Sequence, residues 1–143
     1  MPRSYPDRPF VGIGVVVFKD DQVLLVQRAK PPIRHNWSIP GGAQEIGETV
    51  REGALRELKE ETALDAEIIG LIDVVDSVTR DDDGRIQFHY TLVDFAAEWT
   101  AGEAAPDTDV AAVRWIPIAD LDKEELWHET VRIIRRAVEM RAR

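Results

Sequence analysis

The sequence holds no cysteine, which removes disulfides, thiolate zinc sites and cysteine nucleophiles together. Long apolar runs are missing too. The longest, around Val11–Phe18 and Ile68–Val75, fall far short of the roughly 20 residues a membrane-spanning helix needs. The opening MPRSYPDRPF lacks the apolar core of an export signal, so the expected location is the cytoplasm. Positive charge is scarce: the formal net charge is −9, and the basic residues form no long run. Nucleic acid and anionic membrane are therefore not expected partners. An acidic chain can still handle phosphates when divalent cations mediate the contact. Neither a Gly-x-Gly-x-x-Gly turn nor a phosphate-loop Lys-Ser/Thr occurs, and the predicted strands are too few and too irregularly interleaved for a doubly wound Rossmann sheet.

What is present reads as one domain over residues 1–143, large enough to bury its own core, with ordinary apolar and charged fractions. Residues 1–9 carry three prolines and predict an irregular arm. Val11–Phe18 is rich in β-branched residues and predicts a strand. Asp20-Asp21 turns the chain, and Gln22–Arg28 forms its neighbour. The consecutive prolines of Lys30–Asn36 force a loop. Further on, Ala66–Val75, extending through Ser77–Arg80, and Ile86–Phe95 predict strands joined by a polar hairpin turn at Asp81-Asp82-Asp83-Gly84. That turn is no calcium loop, which needs flanking helices and a closing glutamate.

Ala97–Val110, small, acidic and punctuated by glycine and proline, predicts a long loop. Ala112–Ile116 is a short strand ended by Pro117. From Glu124 the spacing of Leu126, Thr130, Ile133, Ile134, Ala137 and Val138 predicts a helix, with Arg132, Arg135, Arg136, Arg141 and Arg143 as a solvated face or a partner surface. One mixed sheet covered by helices, an α/β layered sandwich, follows.

The chemistry concentrates between Trp37 and Leu64. Thr49 followed by Glu52 is a capping box, which starts a helix at Val50. Val50, Ala54, Leu55 and Leu58 make its apolar arc. At roughly 100° per residue, Glu57, Glu60 and Glu61 fall on an adjacent arc, with Gly53 one turn before Glu57 leaving space. Three carboxylates so close repel unless a proton or cations intervene. Oxygen-only ligands suit magnesium or manganese rather than zinc or copper. Glu60 and Glu61 also sit in the last helical turn, where the helix dipole disfavours them. Pro40 stiffens the approach, and Gly41 and Gly42 permit positive φ and close backbone approach, so a carbonyl of this turn could complete a metal shell. Arg56 is placed to pair with Glu52 or Glu60, or to orient a carboxylate. Glu-x-x-Glu-Glu alone is an ordinary solvated face; beside Pro-Gly-Gly it reads as a metal site.

This stretch resembles the signature of the Nudix hydrolases, Gly-x5-Glu-x7-Arg-Glu-U-x-Glu-Glu-x-Gly-U, where U is a bulky aliphatic. Gly42, Glu48, Arg56, Glu57, Leu58, Glu60, Glu61 and Leu64 are in register, and Ala63 stands where the family has glycine. Alanine there costs about 1 kcal/mol if φ must be positive. The resemblance implies a Nudix-type α/β/α sandwich with a mixed central sheet and Mg2+-dependent hydrolysis (Mn2+ substituting) of a nucleoside diphosphate derivative. It also implies that Glu57, Glu60, Glu61 and the Gly42 carbonyl bind metal, that Arg56 orients a carboxylate, and that Glu48 braces the loop. Family habit and the proline-rich arm allow a homodimer. The general base is Glu61 or an acid of the later loop: Glu98, Glu103, Asp107 or Asp109.

Arg28, and less so Lys30 and Arg34, are expected to meet phosphate, with surface ion pairing as the alternative. Trp37 is placed to stack on a base or to serve as a structural tryptophan; Trp99, Trp115 and Trp127 have less to recommend them. His35, His89 and His128 show no ligand spacing. The expected substrate is a nucleotide sugar such as ADP-ribose. The alternatives are a nucleoside triphosphate pyrophosphatase of the nucleotide-sanitising kind and a non-catalytic nucleotide-binding regulator, against which the intact signature argues.

Overall fold

A computed structural model describes residues 3–28, 37–107 and 110–143. Its strands are β1 (Phe10–Lys19), β2 (Gln22–Arg28), β3 (Trp37–Ser38), β4 (Gly41–Ala43), β5 (Asp65–Arg80), β6 (Ile86–Ala101) and β7 (Val110–Pro117). Two helices accompany them, α1 (Val50–Thr62) and α2 (His128–Arg141), with a 3-10 turn at Ile118–Lys123. The sheet runs β3-β2-β1-β6-β5, with β4 also on β1 and β7 also on β2. It is mixed, because β1 and β6 are parallel while the other pairings are antiparallel.

Alternation along β1 sorts its side chains to the two faces. Ile13, Val15 and Val17 pack with Ala54 and Leu58 of α1. Val16 and Phe18 pack with Ile133, Ile134 and Ala137 of α2. One helix therefore covers each face, as the predicted sandwich requires. The β1–β2 hairpin is paired only at its turn, with Phe18 opposite Val23 and Lys19 opposite Gln22. Beyond that, β1 takes β4 as its neighbour and β2 takes β3, while β7 pairs with β2 along its whole length. The functional cleft opens at the β4 end of β1.

Four expectations change. Gly41 and Gly42 belong to a short strand, not a loop, with Ile13 opposite Gly42. Ala97–Ala101 continue β6 instead of starting a loop, because the parallel ladder with β1 runs on to Phe18 opposite Glu98 and the antiparallel one with β5 on to Asp65 opposite Ala101. The second helix starts at His128, after the 3-10 turn, rather than at Glu124. Leu55 turns outward, 39% exposed, while Gly53 and Ala54 face the sheet. The arm is irregular but pinned: Tyr5 N–H donates to the Gln87 carbonyl (2.7 Å) and its hydroxyl to Asp81 (2.9 Å). Arg132, Arg135, Arg136 and Arg141 form ion pairs with Glu129, Asp122, Asp73 and Glu98 respectively, so the basic face of α2 is tied to its own surroundings.

Candidate active site

Helix α1 begins as its sequence dictates. The Thr49 hydroxyl accepts from Glu52 N–H (3.1 Å), and Glu52 accepts from Thr49 N–H (3.3 Å). The helix ends on Ala63, in the left-handed region at φ 66°, its N–H donating to the Lys59 carbonyl (2.9 Å). That is the position where the signature has glycine, and alanine adopts the left-handed geometry nonetheless.

Arg56 organises the first half of the helix. It donates twice to Glu48, from Nε (2.9 Å) and Nη2 (2.7 Å), and also to Glu57 (2.8 Å), Glu60 (3.2 Å) and the Ala43 carbonyl (3.1 Å). The anticipated Glu60 pairing is present; Glu52 is occupied by the cap instead. Glu48 also accepts from Glu45 N–H (2.8 Å) and so ties the loop to the helix. The Arg56 guanidinium, aided by that N–H, holds the Glu48 carboxyl down at about 2. The paired carboxylates in turn hold the Arg56 guanidinium more firmly protonated.

Glu61, 4% exposed, faces the sheet. It accepts from Gly41 N–H (2.9 Å) and from Arg28, whose guanidinium also reaches the carbonyls of Ile39 and Gly41 (both 3.3 Å). Burial pushes the Glu61 carboxyl above the usual range and the nearby Glu57 charge adds to this, while Arg28 and the Gly41 N–H oppose it.

The glycines of β4 serve by close approach, not by positive φ, which among the glycines occurs at Gly47, Gly84 and Gly102. A Cβ on Gly41 would collide with the Ile13 carbonyl, and one on Gly42 would lie 2.5 Å from the Glu57 carboxyl. Gly53 leaves its space to Ile13 and to Glu48, whose Oε1 a Cβ would meet at 2.8 Å.

Arg28, Gly41, Gly42, Glu57 and Glu61 line a cleft of about 530 Å³. Tyr90, Leu92, Asp94, Trp127 and Glu129 line it too, with Arg3. Glu60 does not line the cleft, and its side chain is 54% exposed. Among the described residues, no three acidic or histidine side chains yet converge as a metal cluster; Arg28 and Arg56 hold the glutamates. The donor set is nevertheless all oxygen and of the right charge for a hard divalent cation, and the missing Cβ at Gly42 lets the Glu57 carboxylate lie against the Gly42 backbone.

Other expectations are sorted by position. Trp37 does not line the cleft: it packs against the α2-side core, and the Arg114 guanidinium stacks 4.5 Å from its ring. Trp127 lines the cleft in its place. Glu98 is a strand residue paired with Arg141, away from the loop expected to carry it. Glu103 lines a separate hollow with Lys19 and Trp115. Asp107 donates its N–H to the Glu61 carbonyl (3.2 Å), which sets the loop beside the end of α1. Lys30, Arg34, His35 and Asp109 lie outside the described residues. Asp94 was missed altogether. Its signal was an acid at the inward parity of a strand, between Leu92 and Ala96.

A layered mixed sheet with a carboxylate-bearing helix against a glycine strand defines a class of phosphoanhydride hydrolases. The NUDIX domain model matches residues 8–137. An ADP-ribose pyrophosphatase of Methanocaldococcus jannaschii is 31% identical over 125 residues, 87% of this chain and 74% of that protein. The crystal structure of a MutT Nudix hydrolase from Burkholderia pseudomallei superposes with TM-score 0.77 at 27% identity, covering 91% of this chain and 98% of that one. The Nudix domain of Shewanella oneidensis NrtR, complexed with ADP ribose, superposes with TM-score 0.76 at 27% identity, covering 94% and 89%. The chain belongs to the Nudix hydrolase family, enzymes that cleave pyrophosphate bonds with a divalent metal. Among the described residues, no helix is long and apolar enough to cross a membrane.

Proposed function

We propose that this protein, acting as a single domain over residues 1–143, hydrolyses the diphosphate of an ADP-ribose-like nucleotide sugar with Mg2+, or Mn2+ in its place. The carrying observation is that Arg28, Gly42, Glu57 and Glu61 line the same cleft as Tyr90, Leu92 and Trp127. The first set suits a charged diphosphate, the second a nucleoside.

Glu57, Glu60, Glu61 and the Gly42 carbonyl would hold the cation. When bound, it supplies charge neutralisation for the phosphate oxygens and lowers the pKa of the attacking water. Arg56 keeps Glu57 and Glu60 oriented, and Glu48 fixes Arg56. Arg28 binds a phosphate oxygen once it leaves Glu61. Glu61, whose proton affinity burial raises, accepts the proton of the attacking water; Asp107 is the second choice.

The similarity to the archaeal ADP-ribose pyrophosphatase and to the ADP-ribose-bound NrtR domain favours the nucleotide-sugar reading. Similarity to a putative 8-oxo-dGTP diphosphatase of Bacillus subtilis keeps a nucleoside triphosphate as the runner-up. We place the enzyme in the cytoplasm, as a monomer or homodimer.

Chromatography of products decides between the readings. AMP plus ribose 5-phosphate from ADP-ribose supports the first, and a nucleoside monophosphate plus pyrophosphate supports the second. Glu60→Gln and Glu61→Gln should each lower kcat by orders of magnitude with the fold intact. Full activity in both would overturn the metal-site assignment.

A further inference from the structure

Asp94 is a carboxylate in a place where carboxylates are expensive. It is 5% exposed, in the middle of β6, flanked by Gly14 of β1 and Asp73 of β5. Among the described residues its side chain makes no hydrogen bond. Its charged neighbours are Asp73, which repels it, and Arg132 of α2, which attracts it but spends its own donors on Asp73 (3.0 Å) and Glu129 (2.6 Å). A carboxylate with so little access to water and no donor inside the fold is unfavourable in general, and the access its oxygens keep is to the cleft, so a donor for it comes from there.

The surroundings say what that partner looks like. Gly14 makes room for the carboxylate: a Cβ there would collide with Asp94 Oδ1 and lie 2.8 Å from Ile39 Cδ1. Asp94 lines the same cleft as Tyr90, Leu92 and Trp127, flat or apolar groups suited to a planar ring. The diphosphate-facing groups, Arg28, Gly42, Glu57 and Glu61, line the same cleft. An anion is excluded next to an ionised Asp94, which can only accept hydrogen bonds.

We propose that Asp94 is a specificity-determining residue that accepts hydrogen bonds from the amino-bearing edge of a purine, adenine or guanine, seated between Tyr90 and Trp127. This deepens the reading of the site as a nucleotide hydrolase and rests on it. A purine that carries an oxo group in place of the amine points an acceptor at that carboxylate oxygen and has only its N1–H left to donate on that edge, so it binds less well.

The test is steady-state kinetics of the wild type and Asp94→Asn on two substrate pairs, ADP-ribose with its hypoxanthine counterpart, and GTP with its xanthine counterpart. The pairs separate adenine from guanine as the preferred base. In at least one pair the wild type should favour the amino base in kcat/KM by about tenfold or more, carried by KM. Asp94→Asn brings a donor, so it should lose that preference or reverse it. A purely structural Asp94 would change both members of each pair equally, and that result overturns the proposal.

Calorimetric binding of AMP and IMP reads the same contact without turnover. A wild-type AMP preference lost in Asp94→Asn sustains the proposal even if no nucleotide is hydrolysed, a result that would sink only the catalytic reading. Turnover without amine discrimination in either pair would sink the proposal alone.

Discussion

Arg56 grips Glu48 with two parallel hydrogen bonds, Nε to Oε2 at 2.9 Å and Nη2 to Oε1 at 2.7 Å. The same guanidinium reaches Glu57 and Glu60, so the loop before α1 and the carboxylates on it are fixed by one side chain.

The ionic nature of this grip has a pH signature. Glu48 is held at about 2, below its ordinary value of 4.5. A depressed carboxyl contributes stability above its unfolded pKa and loses it as pH falls through its folded pKa. Glu48→Gln should therefore melt below the wild type at neutral pH. The difference should close between pH 4.5 and about 2. Thermal melts across that range check it; a gap independent of pH would mean that the charge is irrelevant.

Ala63 holds φ 66° where glycine would adopt the same conformation without steric penalty. Ala63→Gly should stabilise the protein by about 1 kcal/mol, less any gain in unfolded-chain entropy, and raise Tm by a few degrees. Ala63 touches no site group, so kcat should not change. Calorimetry alongside an activity assay reads both.

Gly42 offers the complementary experiment. A methyl group on it would lie 2.5 Å from the Glu57 carboxyl carbon and Oε1. Gly42→Ala should displace that carboxylate and reduce kcat on the order of a hundredfold, with little change in Tm. A variant with unimpaired turnover would mean that Glu57 is not required in its present place.

What could be read without coordinates was local. Thr49 and Glu52 announce the helix start by themselves, and the spacing of Glu57, Glu60 and Glu61 follows from helical geometry. Features that depend on distant partners were illegible. Ala97–Trp99 look like loop by composition, yet β1 claims Ala97 and Glu98 for its ladder and β5 claims Trp99. Gly41 and Gly42 look like turn residues, but Ile13 and Glu57 are what require them to lack a side chain. Trp37 and Trp127 are indistinguishable as letters; packing and Arg114 take one, and the cleft keeps the other. Asp94 shows the same limit, because its burial needs β1, β5 and α2 all in place.

That burial gives the last prediction its sign. Desolvation, and secondarily Asp73, pushes Asp94 from 3.8 up to about 6, with Arg132 opposing. The folded protein thus binds more protons than the unfolded chain between those values, so this group's contribution falls as pH rises through the window and stays unfavourable above it. Asp94→Asn removes the charge. It should stabilise the protein at pH 7 by up to about 3 kcal/mol, an upper bound from the size of the shift. The advantage should shrink below pH 4. Denaturant titrations of both proteins at pH 4 and 7 measure it. A stabilised variant that has also lost its amine preference would place Asp94 among residues kept for recognition at the expense of stability. A destabilised variant would mean that the carboxylate has a partner within the fold.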